Sequence, residues 1–271
     1  MSDDRRIVWL ASYPKSGNTW VRILLHGIAP SAAGSSALDI NALDGTEHAA
    51  GRSLVEAVSA CPTSELSADE IDQLRPSAYA AMLERKSGPI FVKTHDAYRG
   101  PDGSRPLFPP GISKTVIYLI RNPLDVAVSF ASHLGIEVDQ VIELMATDYC
   151  FDADSKAVTA QVRQYLGSWS AHVRSWQHQA AIQVLTIRFE DLVTDTVDCL
   201  GAAADAVGLD VGRAMIESAV EAAKFERLQA IERREGFREK PLTQSGLFFR
   251  SGRVGAWRDV LSSRQVKRML D

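Results

Sequence analysis

Lys15, Ser16, Gly17, Asn18 and Thr19 sit together in the segment Ser12-Tyr13-Pro14-Lys15-Ser16-Gly17-Asn18-Thr19-Trp20, between a short apolar run and a stretch of helical character. Backbone N–H groups at a helix start have no intrahelical acceptor and favour an anion, and Lys15 adds a full positive charge. The segment reads as a phosphate cradle. It is not a Walker A loop, because the lysine precedes the glycine and the pattern G-x-x-x-x-G-K-[ST] is absent. Read alone, an ordinary strand-to-helix turn with a surface lysine is the alternative.

Three further basic groups follow. His95, in Lys93-Thr94-His95-Asp96, closes an apolar run beside Lys93. A histidine so placed can stay neutral near pH 7 and take a proton from an acceptor hydroxyl, a role worth roughly 10²- to 10⁴-fold in rate. Arg121 ends another apolar run and Ser129 lies eight residues on. The planar guanidinium fork and a hydroxyl about two helical turns later suit a second phosphate. The segment Phe249-Arg250-Ser251-Gly252-Arg253-Val254-Gly255-Ala256-Trp257 combines charge with glycines that permit close backbone approach. Each has a bland alternative: a packing histidine, a structural arginine, a Gly-rich surface loop. His26, His48, His133, His172 and His178 receive the bland reading.

The elements that must carry these groups follow from hydrophobic pattern. Ile7–Ala11 reads as a strand buried on both faces, Pro89–Thr94 and Lys114–Ile120 as a second and third buried strand, and Gln183–Phe189 as a fourth strand. Asn18–Ile28, Ala68–Lys86, Pro123–His133 and Val158–His178 read as helices, with Pro123 in a first turn and Asp191 or Thr194 able to cap a helix after the last strand. Residues 30–65 read as loops broken by short helices, and helices dominate to Arg234. Alternating strands and helices imply an α/β fold with a central parallel sheet flanked by helices and ligands at the carboxyl ends of the strands. Lys15, His95 and Arg121 all fall there.

At 271 residues, with 45% hydrophobic and 24% charged residues, the chain suits one domain over 1–271. A net charge of −4 provides no general attraction to nucleic acid or an anionic membrane, so a phosphate ligand needs a local basic site. Cys61, Cys150 and Cys199 lack metal-type spacing and read as reduced, mostly buried thiols. No membrane span and no signal-type segment is evident, and Met1–Arg6 leads into only about five apolar residues, so a cytoplasmic location is expected.

Taken together the residues resemble a known family. Tyr13–Trp20 resembles the 5′-phosphosulfate loop, and Tyr118-Leu119-Ile120-Arg121-Asn122-Pro123-Leu124-Asp125-Val126-Ala127-Val128-Ser129 the 3′-phosphate motif, of sulfotransferases that use 3′-phosphoadenosine 5′-phosphosulfate (PAPS). Lys93-Thr94-His95 is similar to the family's base-bearing strand end, Arg188–Leu192 to its tyrosine- or phenylalanine-bearing strand end, and Arg250-Ser251-Gly252 with Gly255 and Trp257 to its late basic loop. The likeness spans about residues 7 to 258. It implies the sulfotransferase version of the P-loop-containing nucleotide hydrolase-like fold. Gly167-Ser168-Trp169 with Val173–Trp176, and Val184–Arg188, are more similar to bacterial members.

The resemblance implies that Lys15, Ser16, Gly17, Asn18 and Thr19 hold the 5′-phosphosulfate and that Trp20 and Phe225 flank the adenine. It assigns Arg121, Ser129, Arg250, Ser251 and Gly252 to the 3′-phosphate side. It further implies in-line sulfonate transfer to a hydroxyl or amine, with His95 as base, Lys15 and Lys93 neutralising charge, adenosine 3′,5′-bisphosphate (PAP) as product, and no metal. Three positions depart from the family pattern: Ser251 stands where animal members usually carry lysine, with Arg253 as a replacement, Ala223 lacks a hydroxyl, and Phe189 lacks a tyrosine hydroxyl. The rival readings are a P-loop kinase or NTPase, which would bind ATP with magnesium, and a catalytically silent nucleotide-binding protein. The expected partner is a small-molecule or natural-product acceptor, with Tyr98, Phe108, Tyr149, Phe151, Phe237 and Phe248 as candidate pocket walls. Acceptor identity and oligomeric state stay open.

Overall fold

The computed structural model describes residues 6–29, 38–43, 46–86, 88–100, 106–152, 155–241, 244 and 246–270. The strands are β1 (Ile7–Ser12), β2 (Thr46–His48), β3 (Ile90–Thr94), β4 (Ser113–Ile120), β5 (Cys150–Phe151), β6 (Gln164–Tyr165) and β7 (Val184–Arg188). The helices are α1 (Asn18–Ile28), α2 (Arg52–Glu56), α3 (Ala68–Arg85), α4 (Pro123–Leu134), α5 (Val138–Ala146), α6 (Trp169–Gln177), α7 (Phe189–Thr194), α8 (Thr196–Val207), α9 (Arg213–Ala222), α10 (Phe225–Glu235) and α11 (Ser263–Leu270).

The architecture is α/β, a central parallel sheet with helices flanking it, and the strand order is β2-β3-β1-β4-β7. Parallel pairing sets Ile7 opposite Ile90 and Ala11 opposite Thr94, so the segments that leave β1 and β3 begin at one edge. Every residue of β1 is buried, which is why its sequence is a continuous apolar run rather than an alternation.

Two compact units are built from interleaved stretches of chain. The first comprises 1–13, 45–118 and 145–185. Its core is aromatic: Trp9 meets Phe108 at 4.7 Å and Tyr79 at 5.0 Å between ring centroids, and Phe108 meets Trp176 at 4.8 Å. The second comprises 14–44, 119–144 and 186–271. There α1 packs on α8 and α9, and Gly27 lets the helices close, since a Cβ on it would lie 3.0 Å from the Ala219 methyl.

Several expectations need correction. The stretch 158–178 is not one helix. Gly167 takes a left-handed φ of 64°, Ser168 Oγ accepts from Ala171 N at 3.2 Å, and α6 starts only at Trp169. Upstream, Arg163 is tied to Asp72 and Val162 N donates to Ala50 O at 2.8 Å, contacts that outweigh a weak helical pattern in which Val158 is exposed. The polar Thr46–His48 forms an edge strand, paired to β3 through its main chain rather than by an apolar pattern. Asp191 and Thr194 lie inside α7 and cap nothing that follows; the residue before α8 is Asp195, without a side-chain cap. The three cysteines are free, but Cys61 is exposed and Cys150 and Cys199 are half-buried. Residues 1–5 and 30–37, part of the N-terminal and loop readings, lie outside the described residues. Among the described residues no helix is long and apolar enough to cross a membrane.

Candidate active site

In the second unit Arg121 meets the main chain of Lys15 at the start of α1. Gly17 precedes this helix with φ 101°, and no side chain caps it. By contrast α4, which carries Ser129 half-buried, is closed by Asn122 Oδ1 accepting from Leu124 N at 2.9 Å. A helix start without a side-chain cap favours an anion. Lys15 is the only non-glycine residue with positive φ, 68°, among the described residues. An L residue held there stores strain, a cost that persists where a site requires the geometry. Lys15 Nζ lies 3.3 Å from His133 Nδ1 and 4.4 Å from the Phe248 ring centroid.

Arg121 braces this turn. Its Nη1 donates to Lys15 O at 3.1 Å and its Nη2 to Arg253 O at 3.4 Å, and the guanidinium lies 4.2 Å over the Phe189 ring. The same ring fills the space beside Gly17, where a Cβ would come within 2.8 Å of Phe189 Cδ2. Burial pushes the Arg121 pKa below the ordinary arginine value; Asp125 and Glu190 oppose that and Arg250 reinforces it. A buried cation with a second arginine nearby favours an anion between them. Two buried polar atoms point the same way: Ser16 Oγ and Arg121 Nε have no hydrogen-bond partner among the described residues.

The late basic loop is fixed at both ends. Gln229 Nε2 donates to Phe249 O at 2.7 Å and Arg250 O at 3.0 Å, and Glu232 accepts from the amides of Phe248 and Phe249 at 2.6 and 3.0 Å. At the other end buried Asp125 accepts from Gly255 N at 2.7 Å and Trp257 N at 3.0 Å. Arg250 and Ser251 are exposed between these anchors. Gly252 packs against Phe225 so tightly that a Cβ would lie 2.6 Å from the ring. Arg253 is ion-paired with Asp259, so its guanidinium already has a carboxylate partner. Trp20 Nε1 donates to Ala223 O at 2.9 Å, a main-chain bond that needs no hydroxyl at position 223.

The first unit holds His95 and Lys93. His95 Nδ1 lies 2.8 Å from Ser12 O, an acceptor only, so Nδ1 carries the hydrogen and Nε2 keeps its lone pair. Burial, then the charge of Lys93, holds the His95 pKa well below the usual histidine value although the residue is only half-buried, so the imidazole is neutral at pH 7. The next residue, Asp96, is fully buried and takes both arms of Arg75, at 3.1 and 2.5 Å. Tyr98 and Phe108 are 2% and 0% exposed and belong to the aromatic core, not to a pocket wall. Tyr149 and Phe151, in the same unit, are half-buried and 5.3 Å apart. In the second unit Phe237 and Phe248 pair at 4.7 Å.

Sequence reasoning missed Asp125, Gln229, Glu232 and the two histidines His133 and His172. Asp125 had a signal, a charge inside the apolar run Leu124–Val128, whereas Glu232 sits in the charged stretch Glu232–Glu235 and had none.

The sulfotransferase domain matches residues 5–271. Sulfotransferase 4A1 of Mus musculus is 24% identical over 261 residues, spanning 94% of this chain and 74% of its own. Flavonol 3-sulfotransferase of Flaveria bidentis is 23% identical over 277 residues, spanning 97% and 78%. Among solved structures, mouse sulfotransferase SULT7A1 complexed with PAP superposes with a TM-score of 0.61 at 20% identity, covering 97% of this chain and 81% of that one, a likeness that shows the fold. With the match running from residue 5 to the last residue, the chain belongs to the sulfotransferase domain family.

Proposed function

We propose that this sulfotransferase moves a sulfonate from PAPS to a hydroxyl or amine of a small-molecule acceptor, using residues 1–271 as one catalytic domain in the cytoplasm. The observation that carries the reading is Arg121, a buried guanidinium with an unsatisfied Nε, bracing the strained and uncapped turn at Lys15–Gly17.

The residues present fit the nucleotide. The amides at the start of α1, Ser16 Oγ and Lys15 suit the 5′-phosphosulfate; Arg121, Ser129, Arg250, Ser251 and Gly252 suit the 3′-phosphate; Trp20 and Phe225 suit the adenine. Bound there, PAPS supplies the activated sulfonate and leaves as PAP. His95 takes the acceptor proton on Nε2, the nitrogen left basic by the bond from Nδ1 to Ser12. Lys15 and Lys93 neutralise charge that grows during transfer, so the reading calls for no metal. A flavonol-directed relative supports a small organic acceptor.

Calorimetry with PAP and with ATP·Mg²⁺, followed by a radiolabelled-PAPS transfer screen over phenols, lipids, sugars, peptides and amines, tests the proposal. PAP binding without metal and transfer to at least one acceptor are expected. Preference for ATP·Mg²⁺ would overturn it in favour of a kinase or NTPase, and PAP binding without transfer to any acceptor would leave a silent nucleotide-binding protein.

A further inference from the structure

His172 is fully buried on α6, and both ring nitrogens are used. Nε2 lies 3.1 Å from the main-chain carbonyl oxygen of His95, and Nδ1 lies 2.9 Å from the Tyr118 hydroxyl. A carbonyl only accepts, so Nε2 carries the hydrogen; a neutral ring then has its lone pair on Nδ1 and accepts from Tyr118. Burial pushes His172 down to about 4 and pushes the Tyr118 phenol up, so neither titrates near pH 7. The chain Tyr118 to His172 to His95 carbonyl is therefore a strut, not a proton relay.

The strut acts where His95 needs it. The ring of His95 is held by Ser12 O, but its main chain leaves β3 at Thr94, and the segment next meets a strand at Ala97, whose N donates to Tyr165 O of β6 at 2.7 Å. Helix α6 supplies what the sheet does not: His172 holds His95 O, Trp176 Nε1 donates to Asp96 O at 3.0 Å, and Ser175 Oγ accepts from Tyr98 N at 3.0 Å. Trp176 and Ser175 fix the segment, and His172 fixes the peptide of the base itself. An apolar residue at 172 would fill the volume and leave the Tyr118 hydroxyl and the His95 carbonyl buried without partners.

We propose that His172 is a positioning residue for the base, orienting the His95 imidazole through the His95 carbonyl so that Nε2 faces the acceptor. The inference rests on His95 being the base.

Long-range ¹H–¹⁵N spectra of the full chain labelled with ¹⁵N-histidine, recorded at pH 7.5, read the tautomers directly. The wild-type protein is expected to show His172 hydrogen-bearing on Nε2 and His95 on Nδ1. In His172→Leu the His95 signal is expected to become a mixture of tautomers and turnover with the best acceptor of the screen to fall on the order of 10²-fold, as for a reacting group displaced by about an ångström. His172→Gln, whose amide can donate to one neighbour and accept from the other, is expected to restore the single His95 tautomer and most of the turnover. A wild-type His172 protonated on Nδ1, or an unchanged His95 tautomer in His172→Leu, would overturn the inference. Should His172→Leu not fold, the wild-type spectrum still decides, since a His172 ring hydrogen-bearing on Nδ1 has no hydrogen to give the His95 carbonyl and would overturn the inference by itself. Full turnover in His95→Gln would instead remove the base reading, and this inference with it, through a different variant.

Discussion

The guanidinium of Arg121 lies 4.2 Å over the ring of Phe189, and that ring also fills the space beside the α carbon of Gly17. One aromatic side chain thus touches both the turn at Gly17 and Arg121. The contact uses the ring face and edge, so the hydroxyl that a tyrosine would bring at position 189 is not needed for it.

Gly17→Ala should be severe. Its Cβ would lie 2.8 Å from Phe189 Cδ2 on a backbone at φ 101° that L residues rarely adopt. Strain of this kind costs about 1–3 kcal/mol. A PAP affinity lower by tenfold or more by calorimetry, with a measurably lower Tm, is the expected outcome; wild-type affinity would show that the loop yields without consequence.

Arg121→Lys tests the fork rather than the charge. Lysine keeps the positive charge but cannot reach Lys15 O and Arg253 O together, as Nη1 and Nη2 do at 3.1 and 3.4 Å. PAP should bind about 10- to 100-fold more weakly, in the range of a lost charge-assisted bond of about 1.5–3 kcal/mol. Equal binding of PAP by wild type and variant would mean that Arg121 serves only the turn.

Asp125→Ala should release the late loop without dissolving α4. The Gly255 and Trp257 amides lose the carboxylate that accepts them at 2.7 and 3.0 Å, a cost of about 1–3 kcal/mol for buried unsatisfied donors. Faster limited proteolysis within 250–257 and weaker PAP binding are expected together. Protection equal to wild type would place the loop's anchorage at Gln229 and Glu232 alone.

How far the sequence could be read depended on whether the information was local. Strand β1, helix α1 and helix α4 were legible to within a residue or two because burial on both faces, a turn glycine and a first-turn proline are written in neighbouring positions. The positions of Lys15, His95 and Arg121 just beyond strand ends were legible for the same reason, each following an apolar run. What failed was non-local. Gln164–Tyr165 is a strand only because Cys150–Phe151 lies beside it, and Thr46–His48 only because β3 offers an open edge. Asp125, Glu232 and His172 act through main-chain groups 130, 16 and 77 positions away, and no spacing rule reaches that far.

Acid should weaken the fold through its buried histidines before the carboxylates account for the whole loss. His172 has an ordinary value of 6.5 and, foremost through burial, about 4 in the folded protein. Between those values the unfolded chain takes a proton that the folded chain refuses, so the stability present above pH 6.5 is lost as pH falls towards 4. The difference corresponds to about 3 kcal/mol for this group. His95, held below its ordinary value by burial and Lys93, adds in the same direction. Urea unfolding of wild type and His172→Gln at pH 7.5, 6.5, 5.5 and 4.5 separates this from carboxylate protonation, which the two proteins share. Wild type should be the more stable at pH 7.5, where both the Tyr118 and the His95 contacts are intact. Its advantage should then shrink steadily below pH 6.5, because only wild type carries a buried imidazole that its unfolded state prefers to protonate. Parallel stability curves across that range would show that His172 takes up its proton equally readily in both states, contrary to a ring enclosed between Tyr118 and the His95 carbonyl.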